Sequence, residues 1–290
     1  MKFRDKAFNW AAPLLLCLSL NQAFASVCHQ SRVPAQSGEV WINGKSSDAP
    51  PTISGFTRKG IIGRGAHGQV LAVGYRGTDY ALKLPHRGSH RNHYSELLCH
   101  EVEIWKKIHT HPNIISIKAV YYAEDSNDQI AGIVMEKARM SLQDLALKIR
   151  AGRQEKLSTS QVKRYLIGLF SAMRLLSSVH ILYGDLHYGN ILIGQDDELK
   201  LADFTSGGPF DPQRHSSYLY TPDVNSAFRQ AGKILELADD SWCASSLASA
   251  LRHIYENSGD MSNDDDRVRL YETLLEFLGR AISDGQCCWW

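Results

Sequence analysis

The chain has 290 residues, which is enough for one or two domains with a sizeable hydrophobic core. Its formal net charge is only +1, so composition gives no support for a nucleic-acid partner or for binding to an anionic membrane. Hydrophobic residues make up 43% of the chain and charged residues 22%, which is ordinary for a soluble globular protein. Composition therefore does not indicate a function, and the evidence for one has to come from short sequence motifs.

The first 25 residues resemble a secretory signal peptide. A basic start precedes an apolar run at residues 10–20 that is too short to span a bilayer, and residues 23–25 form an Ala-x-Ala cleavage site. We predict a Sec-type signal peptide at residues 1–25, secretion and no stable membrane insertion; an uncleaved amphiphilic N-terminus is the alternative. Residues 26–55, rich in Ser, Gly and Pro, are predicted to form a linker or flexible arm.

Five cysteines remain after that cleavage, and their spacing matches no zinc-binding pattern. Cys28 could form a disulfide in an oxidising compartment, although nothing in the sequence identifies its partner. Cys99 and Cys243 fall in predicted helices, where we expect buried structural thiols. Cys287 and Cys288 are expected to be free thiols, because a bridge between adjacent residues would be strained.

Residues 56–138 are predicted to form a small sheet with one long helix. Alternation of apolar and polar residues indicates strands, and apolar residues at helical spacing indicate the helix. The predicted elements are strands at 69–75, 79–84, 114–121 and 130–135 and a helix at 93–109.

Residues 139–290 are predicted to be mostly helical, with Ser158 and Ser160 as candidate caps of the longest helix. We therefore expect an α+β fold with a sheet-rich lobe followed by a helical lobe. The predicted elements of the second lobe are helices at 141–150 and 158–178, a hairpin formed by 190–193 and 199–202, and mostly helical structure over 224–283.

A glycine-rich turn comes early in the first lobe. Gly63, Gly65, Gly68 and Val70 fit the pattern G-x-G-x-x-G-x-V, in which glycines allow the backbone N–H groups to approach phosphates closely. The pattern alone is weak, and an ordinary glycine hairpin is the alternative. A strand follows the turn here, whereas a dinucleotide fold would need a helix, so the context favours a hairpin that covers a nucleotide.

Lys83 lies in the next strand between apolar neighbours. A buried lysine needs a charged partner, because an unpaired charge is costly to bury. Glu101 on the following helix could supply it, with Glu103 as a rival on a different face of that helix. A lysine held in this way can bind the phosphates of ATP; the alternative is a solvated lysine on a half-exposed strand.

The most specific run in the sequence extends from Tyr183 to Ile193 and is followed by Asp203 and Phe204. Phosphoryl transfer needs a carboxylate near the nucleophile and oxygen ligands for a divalent cation. Asp185 suits the first role, and Asn190 and Asp203 suit the second. Each residue alone would be read as a turn former, but their order after the glycine-rich turn and the lysine favours catalysis.

Together these motifs resemble the eukaryotic-type protein kinase family over residues 56–256. The resemblance implies a bilobal fold, ATP with Mg²⁺ or Mn²⁺ as cofactors, and a protein substrate. It implies catalytic roles for Asp185, Lys83 and His187 and metal binding by Asn190 and Asp203. The nucleotide-binding residues that it implies are Gly63, Gly65, Gly68, Val70, Ala81, Lys83, Glu101, Met135, Glu136, Ala138 and Leu192.

Other family features are matched less well. Residues 221–223 resemble the end of the activation segment, and Asp240 resembles the aspartate that begins the central helix and braces the catalytic loop. Gly184 replaces the usual arginine, so we expect activity that does not depend on activation-loop phosphorylation. His187 replaces a lysine and Thr205 a glycine, so a γ-phosphate contact becomes sensitive to pH or is lost and flipping of Phe204 is restricted. The Ala-Pro-Glu signature is absent, and the helical lobe is expected to be short.

The resemblance leaves three functions open. The first is a Ser/Thr protein kinase acting as a monomer, without nucleic acid, and delivered by a bacterium to act on host proteins; a eukaryotic secretory lumen is the other compartment that reconciles secretion with ATP. The second is a small-molecule phosphotransferase of the aminoglycoside or choline type, which shares the Gly-Asp-Leu-His-x-Gly-Asn run. The third is a pseudokinase that acts as a binding scaffold.

Overall fold

The computed structural model describes residues 41–42, 53–86, 91–108, 110–123, 126–209, 221–259, 261 and 263–280. The predicted signal peptide lies outside the described residues. No helix in the described ranges is long and apolar enough to cross a lipid bilayer.

The first lobe is a six-stranded sheet with the order β1-β5-β6-β4-β3-β2, packed on one helix. Alternate residues face opposite sides, as the strand period requires. Val134 packs with Leu71 and Leu82 on one face, while Ile133 packs with Leu98 of the helix on the other. The elements are β1 Trp41–Ile42, β2 Thr57–Arg64, β3 Gly68–Tyr75, β4 Thr78–Pro85, α1 Arg91–Ile108, β5 Ile117–Ala123 and β6 Ser126–Glu136.

The segment predicted to be a linker contributes an edge strand to this sheet. In β1, Trp41 is in register with Ala119 and Ile42 with Val120, and the pairing is parallel. A 3-10 turn follows at Ile53–Gly55. A strand of two residues has too short an alternation to be recognised in a sequence, which is why the composition of the segment suggested a linker.

The second lobe is mainly helical, as expected. Ser158 caps α3 through a capping box with Gln161, which confirms the predicted start of that helix. Its buried face, including Phe170, packs against Tyr271 and Leu274 of α6. The elements are β7 Met140–Ser141, α2 Leu142–Arg150, α3 Thr159–Ser178, β8 Ile181–Leu182, β9 Ile191–Ile193, β10 Leu199–Leu201, β11 Gly208–Pro209, α4 Thr221–Leu235, α5 Ser241–Glu256 and α6 Asp264–Arg280.

Two cysteines differ from their predicted state. Cys99 in α1 and Cys243 in α5 are buried, as expected, but each is disulfide-bonded instead of being a structural thiol. Helical spacing predicts burial but carries no information about an oxidised partner distant in the sequence.

Candidate active site

A cavity of about 750 Å³ lies between the two lobes, a volume typical of sites for small molecules and cofactors. The glycine-rich turn, β4 and the end of β6 line one side, and β9, the residues just before it and the residues after β10 line the other. The predicted nucleotide and metal residues that line it are Gly63, Val70, Ala81, Lys83, Glu101, Met135, Glu136, Ala138, Asn190, Leu192 and Asp203.

Lys83 forms two ion pairs at the inner end of the cavity. Its Nζ lies 2.8 Å from Glu101 Oε2 and 2.9 Å from Asp203 Oδ1. Burial disfavours the charge on Lys83, but the two carboxylates outweigh burial and raise its pKa. The pKa of Asp203 is lowered overall: burial alone would raise it, but the charge of Lys83 and the hydrogen bonds from Thr205 outweigh burial. The lysine therefore stays charged between the two lobes.

The structure decides between the two candidate glutamates. Glu101 is 3% exposed and faces Lys83, whereas Glu103 pairs with Lys106 on its own helix. Glu101 Oε1 also accepts a hydrogen bond from the backbone N–H of Phe204 at 3.3 Å. This carboxylate thus links α1 to the lysine strand and to the segment that carries Asp203. Burial raises the pKa of Glu101, and Lys83 opposes that rise.

The glycine-rich turn folds as a hairpin, with Gly63 and Val70 opposite each other in β2 and β3. Gly65 and Gly68 do not line the cavity. A Cβ on Gly68 would overlap the carbonyl oxygen of Leu84, so this glycine permits close packing of β3 on β4. The turn therefore has the strand context that we expected for a nucleotide cover.

The segment after β6 offers backbone groups to a ligand, as the resemblance implies for adenine. The backbone N–H and C=O of Ala138 form no hydrogen bond within the described part of the chain. The side chain of Glu136 has a different role, since its Oε1 accepts from the backbone N–H of Ser116 at 2.7 Å and from Lys200 at 3.1 Å. Glu136 therefore holds the connection between the lobes through its side chain.

Asp185 and Asn190 lie together in the loop between β8 and β9. The Asn190 amide donates to the Asp185 backbone oxygen at 3.1 Å and to its Oδ2 at 3.3 Å. Within the described residues, Asn190 Oδ1 and Asp203 Oδ2 have no hydrogen-bond partner, and both residues line the cavity. These two oxygens fit a Mg²⁺ or Mn²⁺ ion, which prefers such ligands.

The aspartate that braces the catalytic loop is Asp223, and the prediction for Asp240 is wrong. Asp223 is buried at the start of α4 and accepts hydrogen bonds from the backbone N–H groups of Tyr183 and Gly184. Asp240 instead caps α5, accepting from its own helix at 2.9 Å and 3.0 Å. Residues 221–223 therefore begin a helix instead of ending the activation segment, and a proline at the second position is a typical signal of that start.

The backbone conformation of the catalytic loop requires a glycine at position 184. Its φ of +82° lies in the left-handed region, and a Cβ on it would overlap the carbonyl oxygen of Ser206. The arginine that the family carries at this position cannot be accommodated without a shift of the backbone.

Replacing Gly184 with Arg is therefore expected to destabilise the protein without adding a regulatory cation. The left-handed backbone alone costs a residue with a side chain about 1–2 kcal/mol, and the overlap with Ser206 adds to that cost. Gly152→Arg is the matched control, because Gly152 has a φ of +66° but open space around it. Thermal denaturation should show a clearly larger loss for Gly184→Arg, and equal losses would contradict this interpretation.

Thr205 secures Asp203, the predicted metal ligand, a role that the sequence pattern did not reveal. Its Oγ1 donates to Asp203 Oδ1 at 2.6 Å, and its backbone N–H donates to the same oxygen at 3.3 Å. Asp203 itself has a φ of +63°, an uncommon conformation for a residue with a side chain. The hydroxyl therefore holds a strained ligand in place.

Thr205→Val is expected to raise the Mg²⁺ concentration needed for half-maximal activity by about 10- to 100-fold, the usual effect of removing a group that orients a metal ligand. Thr205→Ser keeps the hydroxyl and should remain close to the wild type. A magnesium titration of both variants checks this, and similar values for the two would show that the hydroxyl is dispensable.

His187 lies beside the expected catalytic carboxylate. Its Nε2 is 3.5 Å from Asp185 Oδ2, and in the neutral ring its Nδ1 accepts a hydrogen bond from the Gly189 backbone N–H at 3.0 Å, a bond that is lost when Nδ1 is protonated. The hydrogen bond with Asp185 raises the pKa of His187, despite partial burial. The imidazole therefore keeps its positive charge to higher pH than an ordinary histidine.

If the His187 cation contacts the transferred phosphate, activity should fall as the pH rises through the raised pKa. We expect a decline of about tenfold on the alkaline side, because a charged hydrogen bond is lost. His187→Lys should extend the plateau to higher pH, since lysine titrates near 10.4. Profiles of kcat/KM against pH test this; superimposable profiles would exclude His187 from phosphate binding.

Comparison with known proteins agrees with this geometry. Residues 56–229, more than half of the chain, match the family described as Protein kinase domain. The chain belongs to the protein kinase family.

Curated relatives include Cyclin-dependent kinase 4 homolog from Caenorhabditis elegans, 32% identical over 149 residues that cover 49% of this chain and 36% of the relative. Human Cyclin-dependent kinase 20 is 29% identical over 61% of this chain and 49% of its own length. Mouse Serine/threonine-protein kinase Nek4 is 25% identical over 77% of this chain and 29% of its own length. The chain thus spans half or less of these relatives.

Proposed function

We propose that this chain is a protein kinase that transfers the γ-phosphate of ATP to a serine or threonine hydroxyl. The observation that carries the proposal is the simultaneous pairing of Lys83 with Glu101 and Asp203 across the two lobes. This pairing places a cation for the phosphates beside a metal-binding carboxylate. The names of relatives such as Serine/threonine-protein kinase Nek4 support the choice of hydroxyl.

The catalytic residues have separate tasks in this proposal. Asp185 accepts the proton of the attacking hydroxyl, and its bond with Asn190 fixes its position. Asn190 and Asp203 would hold a divalent cation, which would neutralise charge on the phosphates. Asp223 fixes the catalytic loop through the backbone of Tyr183 and Gly184.

Transfer of labelled phosphate from MgATP tests the proposal. The full chain would be incubated with generic protein substrates and, separately, with aminoglycosides and choline, beside an Asp203→Ala control. Label on protein that disappears in the control is the expected result. Label on small molecules alone would replace the proposal with a small-molecule phosphotransferase, and ATP binding without any transfer would indicate a pseudokinase scaffold.

We further propose that the chain is exported through its N-terminal signal and acts on host proteins. The basic-apolar-small pattern of residues 1–25 supports export. The disulfide-bonded Cys99 and Cys243 are also typical of proteins that mature in an oxidising compartment. N-terminal sequencing of the secreted protein should begin at Ser26, and recovery only in the bacterial cytosol with an intact N-terminus would overturn this part.

A further inference from the structure

Basic side chains are concentrated where the cavity passes from the connection between the lobes to α2. Among the lining residues of this region, Glu136 and Asp144 carry the only carboxylates, against four cations. We call the cations the basic rim. The basic rim consists of Lys137, Arg139, Lys148 and Arg153.

The two carboxylates do not neutralise the rim. Glu136 is bound to the buried Lys200 at 3.1 Å, and Asp144 accepts from Ser141 in the capping box of α2 but keeps its charge, so one carboxylate remains against four cations. Within the described residues, Lys148 and Arg153 form no ion pair. Both therefore offer positive charge that no ion pair neutralises beside the cavity.

The other two rim cations, Arg139 and Lys137, contribute unequally to the positive charge of the rim. Arg139 pairs with Asp197, which lies outside the cavity lining, so its charge is partly neutralised. Lys137 forms no ion pair within the described part of the chain and is half-buried at the connection between the lobes. Within the described residues, the rim cations without an ion pair are therefore Lys137, Lys148 and Arg153.

The rim is physically joined to the catalytic loop through the first turn of α2. The backbone N–H of Gln143 donates to the carbonyl oxygen of Tyr188 at 3.2 Å, and Gln143 and Gly189 both line the cavity. Lys148 lies five residues further along the helix, which corresponds to about 7.5 Å. An extended peptide advances about 3.3 Å per residue, so the separation corresponds to two or three substrate residues.

We propose that the basic rim selects protein substrates that carry acidic residues about two to three positions from the phosphorylated hydroxyl. An extended substrate whose hydroxyl reaches Asp185 would pass along α2, and its carboxylates would meet Lys148 and Arg153. Leu147, which lines the cavity and is 51% exposed, would contact an apolar side chain between them. This inference rests on the proposed protein-kinase activity and specifies its substrate class.

Binding of defined peptides tests the inference independently of transfer. Each peptide would carry alanine in place of the phosphoacceptor serine and either glutamates or lysines at two and three positions on both sides of it. Fluorescence anisotropy would report the Kd for the full-length wild type and for the Lys148→Glu/Arg153→Glu double variant. We expect the wild type to bind the glutamate peptide about 5- to 20-fold more tightly, as two exposed ion pairs permit.

The double variant should lose or invert this preference. Arg252→Glu is the control, because it changes the charge by the same amount per residue but lies on α5, and it should retain the preference. High salt should weaken the wild-type preference, because exposed charges are screened. Equal binding of both peptides, or tighter binding of the lysine peptide, would overturn the inference. A change in the Kd for ATP without a change in peptide preference would do the same, by assigning the cations to the nucleotide.

Serine versions of the same peptides separate this inference from the proposed function. Transfer to no peptide, together with a clear binding preference for glutamate, would contradict the kinase activity but not the acidic partner. Transfer to both peptides at equal kcat/KM would support the kinase activity and contradict the rim as a selector. Preferential transfer to the glutamate peptide, lost in the double variant, supports both.

Discussion

Replacing Asp185 with Asn is expected to lower kcat for phosphate transfer by about 10²- to 10⁴-fold, the usual contribution of a positioned general base. The substitution keeps the size of the side chain, and its amide oxygen can still accept the hydrogen bond that Asn190 donates at 3.3 Å. What it removes is the carboxylate that accepts the proton of the hydroxyl. The Lys83 ion pairs do not involve this residue.

Rate and nucleotide affinity together distinguish this role from a structural one. Isothermal titration calorimetry should give a Kd for MgATP close to the wild-type value, while the transfer rate collapses. A variant that transfers phosphate at the wild-type rate would exclude Asp185 as the base. Loss of ATP binding would instead indicate that the substitution had disturbed the cavity.

Replacing Asp223 with Ala is expected to reduce both stability and activity. The change leaves the buried backbone N–H groups of Tyr183 and Gly184 without their acceptor, at a cost of about 1–3 kcal/mol each and so about 2–6 kcal/mol together. A catalytic loop displaced by even about 1 Å could lose about 10²-fold in rate. Denaturant unfolding and steady-state kinetics measure the two effects.

Asp240→Ala is the control that distinguishes the two candidate braces. It removes the cap of α5, which should cost about 0.5–2 kcal/mol, and should leave the transfer rate unchanged because the hydrogen bonds of the Asp240 side chain within the described residues go to the start of its own helix. Asp223→Asn keeps one acceptor oxygen, so its stability and transfer rate should lie between those of the wild type and of the alanine variant. A large loss of transfer rate in Asp240→Ala, with no loss in Asp223→Ala, would show that Asp240 and not Asp223 braces the catalytic loop.

The first lobe was largely predictable because its signals are local. Alternation in β3 and β4 and helical periodicity in α1 identify those elements, and burial of Lys83 requires a charged partner, which the following helix can supply. Spacing alone could not choose between Glu101 and Glu103; the orientation of α1 against the sheet decides it.

The second lobe was predictable in class but not in detail. Asp223 lies in the first turn of α4 and Asp240 caps α5, and only tertiary packing places one of them against the catalytic loop. The need for glycine at position 184 depends on the approach of Ser206, and the role of Thr205 depends on the left-handed backbone of Asp203. The disulfide bonding of Cys99 and Cys243 could not be predicted from helical spacing, which indicates only burial.

The account predicts that this kinase is active without phosphorylation of its activation loop. The most direct test uses enzyme whose intact mass shows that it carries no phosphate and follows phosphate transfer to a protein substrate over time. The ion pairs of Lys83 are already formed in the unphosphorylated chain, so labelled phosphate should appear on a protein substrate linearly from the first time point. Transfer should disappear in Asp185→Asn. A lag that ends when the enzyme itself becomes phosphorylated, or no transfer to protein at all, would contradict the account.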